Sequence, residues 1–499
     1  MILTILLAVT LVGSITVMFA PDRYAGTFAA GISAIPVALT SYMYYVFLTG
    51  DGGGNALLDP EAIAFGERVP WFEIGGFSVS YFLGVDGISM PLLALTTILT
   101  TLAIVSAWTP IDDRQSQFYG LMLMMEVSLI GVFTALDFFL WFVFWEGVLI
   151  PMYFLIGIWG GPRRKYAAIK FFVYTNVASL VMFAGLFALV FNTDLTVLSL
   201  PAMTTAFRAA TGLPTIAGVS LATVSFVLLF IGFAVKVPVF PLHTWLPDAH
   251  VEAPTPVSVM LAGVLLKMGT YALLRFNFTM LAETARMLAV PLAIVGVVSV
   301  IYGAMLALAQ RDLKRIVAYS SISSMGYVIL GLVAFTPLGM GGATFQMVAH
   351  GLISGLMFMT VGVIYNNTHT RMVGDMSGLA DRMPWTVGIL VAAAFGYMGL
   401  PLMAGFAAEF FIFKGAFDAA TLGASAPVLT SLAMFGIVIV AGYLLWAMQR
   451  TLFGGFRLET DYEIGRAEHQ RRSECEPRGF DHLCTTSGQR SDSLSNHGQ

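Results

Sequence analysis

The sequence predicts an all-α polytopic membrane protein, and three observations carry that reading. Hydrophobic residues make up 58% of the 499 positions and charged residues 11%, where soluble domains carry about 25% charge. A soluble chain of this length would need a polar surface that this composition cannot supply. The apolar residues fall in blocks of roughly 20, the length a helix needs to cross about 30 Å of hydrocarbon. Basic residues gather in alternate loops, which gives the helices a consistent sidedness.

About thirteen spanning segments follow, near 1–19, 26–49, 86–108, 117–136, 138–158, 166–192, 216–240, 254–277, 281–308, 313–334, 340–366, 386–414 and 425–449. The first begins at Met1 without a basic n-region or a small-residue cleavage site, so it reads as a mature helix. The longest polar connection, 50–85, is glycine-rich and acidic, with Asp51, Asp59, Glu61, Glu67 and Glu73. Arg163, Arg164 and Lys165 follow the fifth segment; Arg311, Lys314 and Arg315 the ninth; Arg371 and Arg382 the eleventh; Arg450 the thirteenth. These loops share one parity and are expected in the cytoplasm, which leaves the acidic loop and the N-terminus outside. The polar tail 456–499 loses all periodicity from Ala467. It reads as disordered, and a functional tail or a shifted reading frame would each produce it. Both cysteines, Cys475 and Cys484, lie there, so no thiolate site is expected in the membrane region. A net charge of −4 argues against a nucleic-acid partner.

An ionisable group at mid-bilayer costs at least ~2.5–3.5 kcal/mol, so each one needs a reason. Glu126, Glu146, Lys236, Lys267, His350 and Glu409 all fall inside apolar segments. A lone buried Glu reads as a hydrogen-bonded core residue and a lone Lys as a snorkelling one. Acids and bases spread over separate helices fit a proton relay better. Burial pushes both types towards neutrality and a neighbouring charge pushes them back, so each can take up or release a proton when its neighbour changes. His350 adds a group that titrates near pH 6.5 when unperturbed.

Helix interruption points the same way. Pro238 and Pro241 follow Lys236, and Gly399-Leu400-Pro401 precedes Glu409. Proline removes a ladder hydrogen bond, and in lipid the freed carbonyl needs another partner. The alternative at each break is a kink with a packing role only. Gly232-Phe233-Ala234-Val235-Lys236 and Gly405-Phe406-Ala407-Ala408-Glu409 match at three of five positions, five segments apart. An odd number of helices per repeat inverts the second copy, as in inverted-topology transporters.

The stretches WEGVLIPMYFLIGIWGG at 145–161, KVPVFPLHTWLPDAHVEAPTPVSV at 236–259, LLKMGTYALLRF at 265–276 and KRIVAYSSISSMGYVILG at 314–331 resemble the antiporter-like subunit M of respiratory complex I, a relative of mitochondrial chain 4. The resemblance runs from about 75 to 455. It implies fourteen transmembrane helices and two inverted five-helix repeats, each with a broken helix: 117–280 and 281–455, after N-terminal helices and an outside loop in 1–116. It also implies a proton-relay role for Glu146, paired with Lys236, and for Lys267, His350 and Glu409, with His243 at a polar position near the end of helix 7. Related subunits L and N place a lysine where this chain has Glu409. Two departures stand out: some relatives carry a histidine at the position of Ser324, and the fourteenth helix has no counterpart.

The function implied is proton translocation in the cytoplasmic membrane, coupled to NADH–quinone oxidoreduction. Separation of a Glu146–Lys236 ion pair would change the proton affinity of Lys236, and the proton would pass by way of Lys267, His350 and water to Glu409. No cofactor is expected on this chain; quinone, flavin and iron–sulfur clusters would belong to partner subunits, among them L-like and N-like ones. NADH, reduced F420 or ferredoxin could feed such an arm. The alternatives are a subunit of a multi-subunit sodium/proton antiporter or membrane-bound hydrogenase, and a purely structural helix bundle.

Overall fold

A computed structural model describes residues 1–50 and 52–459. Both cysteines and the tail from residue 460 lie outside the described residues, so the expectations placed there are not addressed. In chain order the elements are α1 (Ile2–Met18), α2 (Asp22–Thr49), β1 (Ala64–Ile74), β2 (Phe77–Val85), α3 (Ser89–Ser106), α4 (Gln115–Thr134), α5 (Phe138–Gly147), α6 (Leu149–Trp159), α7 (Arg164–Val190), α8 (Leu200–Ala209), α9 (Leu221–Lys236) and α10 (Trp245–Glu252). The continuous helix α11 (Thr255–Met280) follows. The chain closes with α12 (Ala289–Leu308), α13 (Leu313–Val333), α14 (Pro337–Thr368), α15 (Pro384–Tyr397), α16 (Ala404–Phe417) and α17 (Ala426–Leu452).

Among the described residues ten helical spans are long and apolar enough to cross a membrane, and three shorter apolar helices accompany them: α1, α9 and α15. Each falls on a segment read from hydropathy. The chain is thus a multi-pass membrane protein. Helix starts carry their own caps where the chain turns: the Asp312 carboxylate accepts from Lys314 N and Arg315 N at α13, and Thr336 accepts from Gly339 N at α14. The bundle centre is α11, buried along its length, with α13 nearly so. The peripheral α17 instead turns Val428, Leu432, Phe435 and Val438 outward.

The all-α expectation needs correction at three two-stranded sheets among the described residues, two of them with strands of only two residues. The 50–85 connection carries an antiparallel hairpin, β1 with β2. The run FSVSYFLGV is β-branched and aromatic, and Gly75 and Gly76 take φ of +58° and +84° at the turn. The acidic residues around it made it read as a plain polar loop. The hairpin docks on the start of α5: Leu136 N donates to Phe82 O (2.8 Å), and Ser80 N donates to Asp137 Oδ2 (3.0 Å). Asp137 also caps α5 by accepting from Phe139 N.

Candidate functional site: a buried row of ionisable side chains

Lys267 sits near the midpoint of α11, and two π-helical stretches, Leu261–Leu265 and Leu273–Met280, flank it. Such local widening of a helix is frequent at functional sites. Lys267 is fully buried, and its Nζ donates to Ala262 O, a carbonyl of the first π stretch, at 2.5 Å. The same Nζ lies 2.6 Å from His350 Nδ1 on α14. That contact depends on close approach of the two helices. A Cβ added to Gly351 would lie 2.8 Å from Gly263 O, so only glycine fits there.

From His350 the row continues on its other ring nitrogen. His350 Nε2 is 3.0 Å from the Tyr397 hydroxyl, which in turn lies 3.4 Å from Ser321 Oγ. Tyr397 is the last residue of α15, placed there by the helix break that follows. Beyond it a small cavity is lined by Ser324, Gln346, His350, Tyr397, Gly405 and Glu409. Gln346 Oε1 and Glu409 Oε2 are buried there without a hydrogen-bond partner among the described residues. Ser324 thus faces the cavity. Gly399, at φ +63°, lies against Glu409: a Cβ there would come within 2.4 Å of Oε2.

Lys236 ends α9, wholly buried. The expected ion pair with Glu146 is not formed, since no ion pair among the described residues joins them. Instead the Lys236 ammonium lies 3.8 Å from the centre of the Trp145 ring and donates to Trp145 O at 3.2 Å. Successive helix residues point about 100° apart, so Trp145 faces α9 while Glu146 turns to a half-buried flank. A desolvated cation over an indole is worth ~2 kcal/mol or more, and the Glu146 carboxylate, beyond ion-pair distance, still acts on the ammonium through space. Trp145 is fixed by stacking on Trp141 (4.8 Å) and by donating its indole N–H to Ser179 Oγ (3.1 Å). Glu146 Oε1 is buried and unpartnered among the described residues.

His243 lies in the break between α9 and α10, its ring 5.5 Å from that of Tyr302. Glu126 on α4 is fully buried with both carboxylate oxygens unpartnered among the described residues, and no hydrogen bond or ion pair links it to the row. Sequence reading missed His250, buried on α10 with neither ring nitrogen paired among the described residues and stacked 4.6 Å from Phe358. Lys314 was read as a loop cation; it is buried instead, and its Nζ donates to Ala253 O just past α10. A different buried charge stands at the far end of α11. Arg275 Nη2 meets Asp86 Oδ1 at 2.7 Å, and Asp86 also accepts from Ala56 N, Ile88 N and Ser89 N. Arg275 Nη1 also donates to Asn55 Oδ1 (2.7 Å), and although its Nε is unpartnered among the described residues, the fully satisfied carboxylate makes the pair read as structural. Among the described residues no cluster of three or more His, Cys, Asp or Glu could hold a metal.

The family model described as "NADH:quinone oxidoreductase/Mrp antiporter, TM" matches residues 135–439. A second, "NADH-ubiquinone oxidoreductase chain 4, amino terminus", matches residues 71–132. NAD(P)H-quinone oxidoreductase chain 4 of Nostoc sp. is 40% identical over 461 residues, covering 91% of this chain and 81% of that one. F420H2 dehydrogenase subunit M of Methanosarcina mazei is 39% identical over 454 residues, covering 90% and 88%. A chain of respiratory complex I from Thermus thermophilus, solved with bound NADH, superposes with a TM-score of 0.79 at 27% identity, covering 92% and 91%. Together with a bundle built around α11 and a row of buried ionisable groups, these matches show that the chain belongs to the NADH:quinone oxidoreductase/Mrp antiporter membrane family, on its chain 4 (subunit M) branch.

Proposed function

We propose that this chain is the proton-translocating membrane subunit of a type I NADH (or similar donor)–quinone oxidoreductase. The direct contact of Lys267 with His350 in the middle of the bundle supports this most strongly. A lysine and a histidine share a hydrogen bond there with no carboxylate joined to either among the described residues, an arrangement that serves proton exchange better than packing. Glu146 and Lys236 form the input, with Trp145 holding them apart in this conformation; Glu409 is the output. His243 and Glu126 are accessory groups. Each proton moved against 100 mV requires about 2.3 kcal/mol, the scale of a single charge interaction between neighbours in such a site.

In this reading the ten long spans and three shorter apolar helices are thirteen crossings, arranged as 1–116 followed by two inverted repeats at 117–280 and 281–455. The basic loops face the cytoplasm and the membrane is the cell membrane. Quinone, flavin and iron–sulfur clusters reside on partner subunits, and L-like and N-like subunits pack alongside. The likeness to an F420H2 dehydrogenase subunit keeps reduced F420 open as the donor. Sodium-dependent transport would instead favour an antiporter subunit.

The test is Lys267→Ala in the intact complex reconstituted in liposomes. Assembly and quinone reduction are expected to survive while proton pumping is lost; retained pumping would overturn the proposal.

A further inference from the structure

We propose that Tyr397 is a proton-relay residue, carrying the proton from His350 to Glu409 through a single water in the cavity beside Ser324. This rests on the proton-translocating role proposed above.

The geometry leaves a gap that Tyr397 fills. Lys267 and His350 are in contact, but no hydrogen bond among the described residues joins His350 to Glu409. The Tyr397 hydroxyl touches His350 Nε2 at 3.0 Å and lines the same cavity as Glu409. The space is on the order of one water, and a buried water needs two to four polar partners. Ser324, Gln346, Tyr397 and Glu409 provide them, and two of their oxygens, Gln346 Oε1 and Glu409 Oε2, have no other partner among the described residues.

The polarity is also consistent. As an ammonium, Lys267 can only donate, and in that state His350 Nδ1 accepts. The neutral ring then carries its proton on Nε2 and donates to the Tyr397 oxygen. The tyrosine O–H can then donate to Ser321 Oγ at 3.4 Å or into the cavity, and in the second orientation every hydrogen bond runs from Lys267 towards Glu409. The transfer step balances without charge on the ring. The N–H bond at His350 Nε2 breaks as an O–H bond forms on Tyr397. The original Tyr397 O–H breaks as the water takes that proton, and the water passes one of its own to the Glu409 carboxylate. In the same step the Lys267 ammonium gives a proton to His350 Nδ1, so the ring stays neutral and ends as its Nδ1–H tautomer, which must return to the Nε2–H form before the next proton.

The bland alternative is that Tyr397 only anchors His350. Three variants separate the two in the intact complex in liposomes, driven by whichever of NADH, reduced F420 or reduced ferredoxin supports quinone reduction by the unaltered complex. Tyr397→Phe keeps the ring and is expected to lower proton pumping roughly a hundred-fold, the scale for losing a positioned proton-transfer group, with the complex still assembled. Tyr397→His restores a group that can relay and is expected to recover much of the pumping, which an anchoring role would not. Gln346→Leu, which leaves the tyrosine untouched, is expected to lower pumping by less. Unchanged pumping in Tyr397→Phe, or equal loss in the Phe and His variants, overturns the assignment of Tyr397. Retained pumping in Lys267→Ala would overturn the function itself, so the two failures are distinguishable.

Discussion

The helix break between α9 and α10 is stitched closed, whereas the one between α15 and α16 is left open. In the first, Val239 N donates to Ala234 O (3.2 Å) in place of the bond Pro238 cannot make, and Val235 O is answered by the Trp245 indole N–H at 2.8 Å. Phe240 N donates to Ser299 Oγ on α12, and Lys170 Nζ to Thr244 O. At the end of α10, Arg371 donates to Val251 O, Gly161 N to Glu252 O and Lys314 to Ala253 O. Cations at a helix C-terminus also complement its dipole. The second break has a comparable backbone bond, from Leu400 N to Phe395 O (3.2 Å), but no side-chain stitching among the described residues. Gly399 and Leu402 take positive φ, Leu402 is fully exposed, and an unpaired carboxylate oxygen faces a cavity. The first break therefore fixes where Lys236 stands, and the second leaves room for water beside Glu409. Two breaks with similar sequences thus differ: one is held in place by side chains and the other borders a cavity.

That contrast can be broken at either end. The largest effect is expected from Gly399→Ala. It forces a Cβ to within 2.4 Å of Glu409 Oε2 and places alanine in a left-handed conformation that costs roughly 1–2 kcal/mol. Pumping should fall several-fold, measured as acidification of liposomes, while quinone reduction and assembly persist. A smaller effect, and of another kind, is expected from Trp245→Phe. Leaving the buried Val235 carbonyl unsatisfied costs about 1–3 kcal/mol, so the assembled complex should melt at a lower temperature while its ratio of protons to electrons stays unchanged. A changed ratio would mean that the first break takes part in transport after all.

Much of this was legible in the sequence because hydrocarbon is an unforgiving solvent. Helix positions follow from hydropathy, and Lys236, Lys267, His350 and Glu409 stand out as charges with no cheap reason to be there. What escaped shares one physical cause: its meaning depends on partners distant in sequence. Tyr397 is one aromatic among many in apolar runs, and only its place one turn before Pro401 hints at a role. His250 sits in a stretch polar enough to look like a loop end. Lys314 reads as a loop cation because nothing local shows that Ala253 O, 61 residues away, receives it. The Glu146–Lys236 contact was implied by the family resemblance, but adjacent helix positions point apart, and Trp145 takes the place on Lys236. The Arg275–Asp86 pair spans 189 residues and has no local signature. The hairpin was hidden by the charges on its flanks.

The central claim is that Lys267 and Glu409 belong to one series path, and it is most directly tested by proton-to-electron ratios for Lys267→Ala, Glu409→Gln and the double variant in the reconstituted complex. Groups acting as a unit are non-additive. Either single variant is expected to remove this subunit's pumping as completely as the double does. Partial pumping in each single variant, with losses that add in the double, would mean two separate routes and contradict the account.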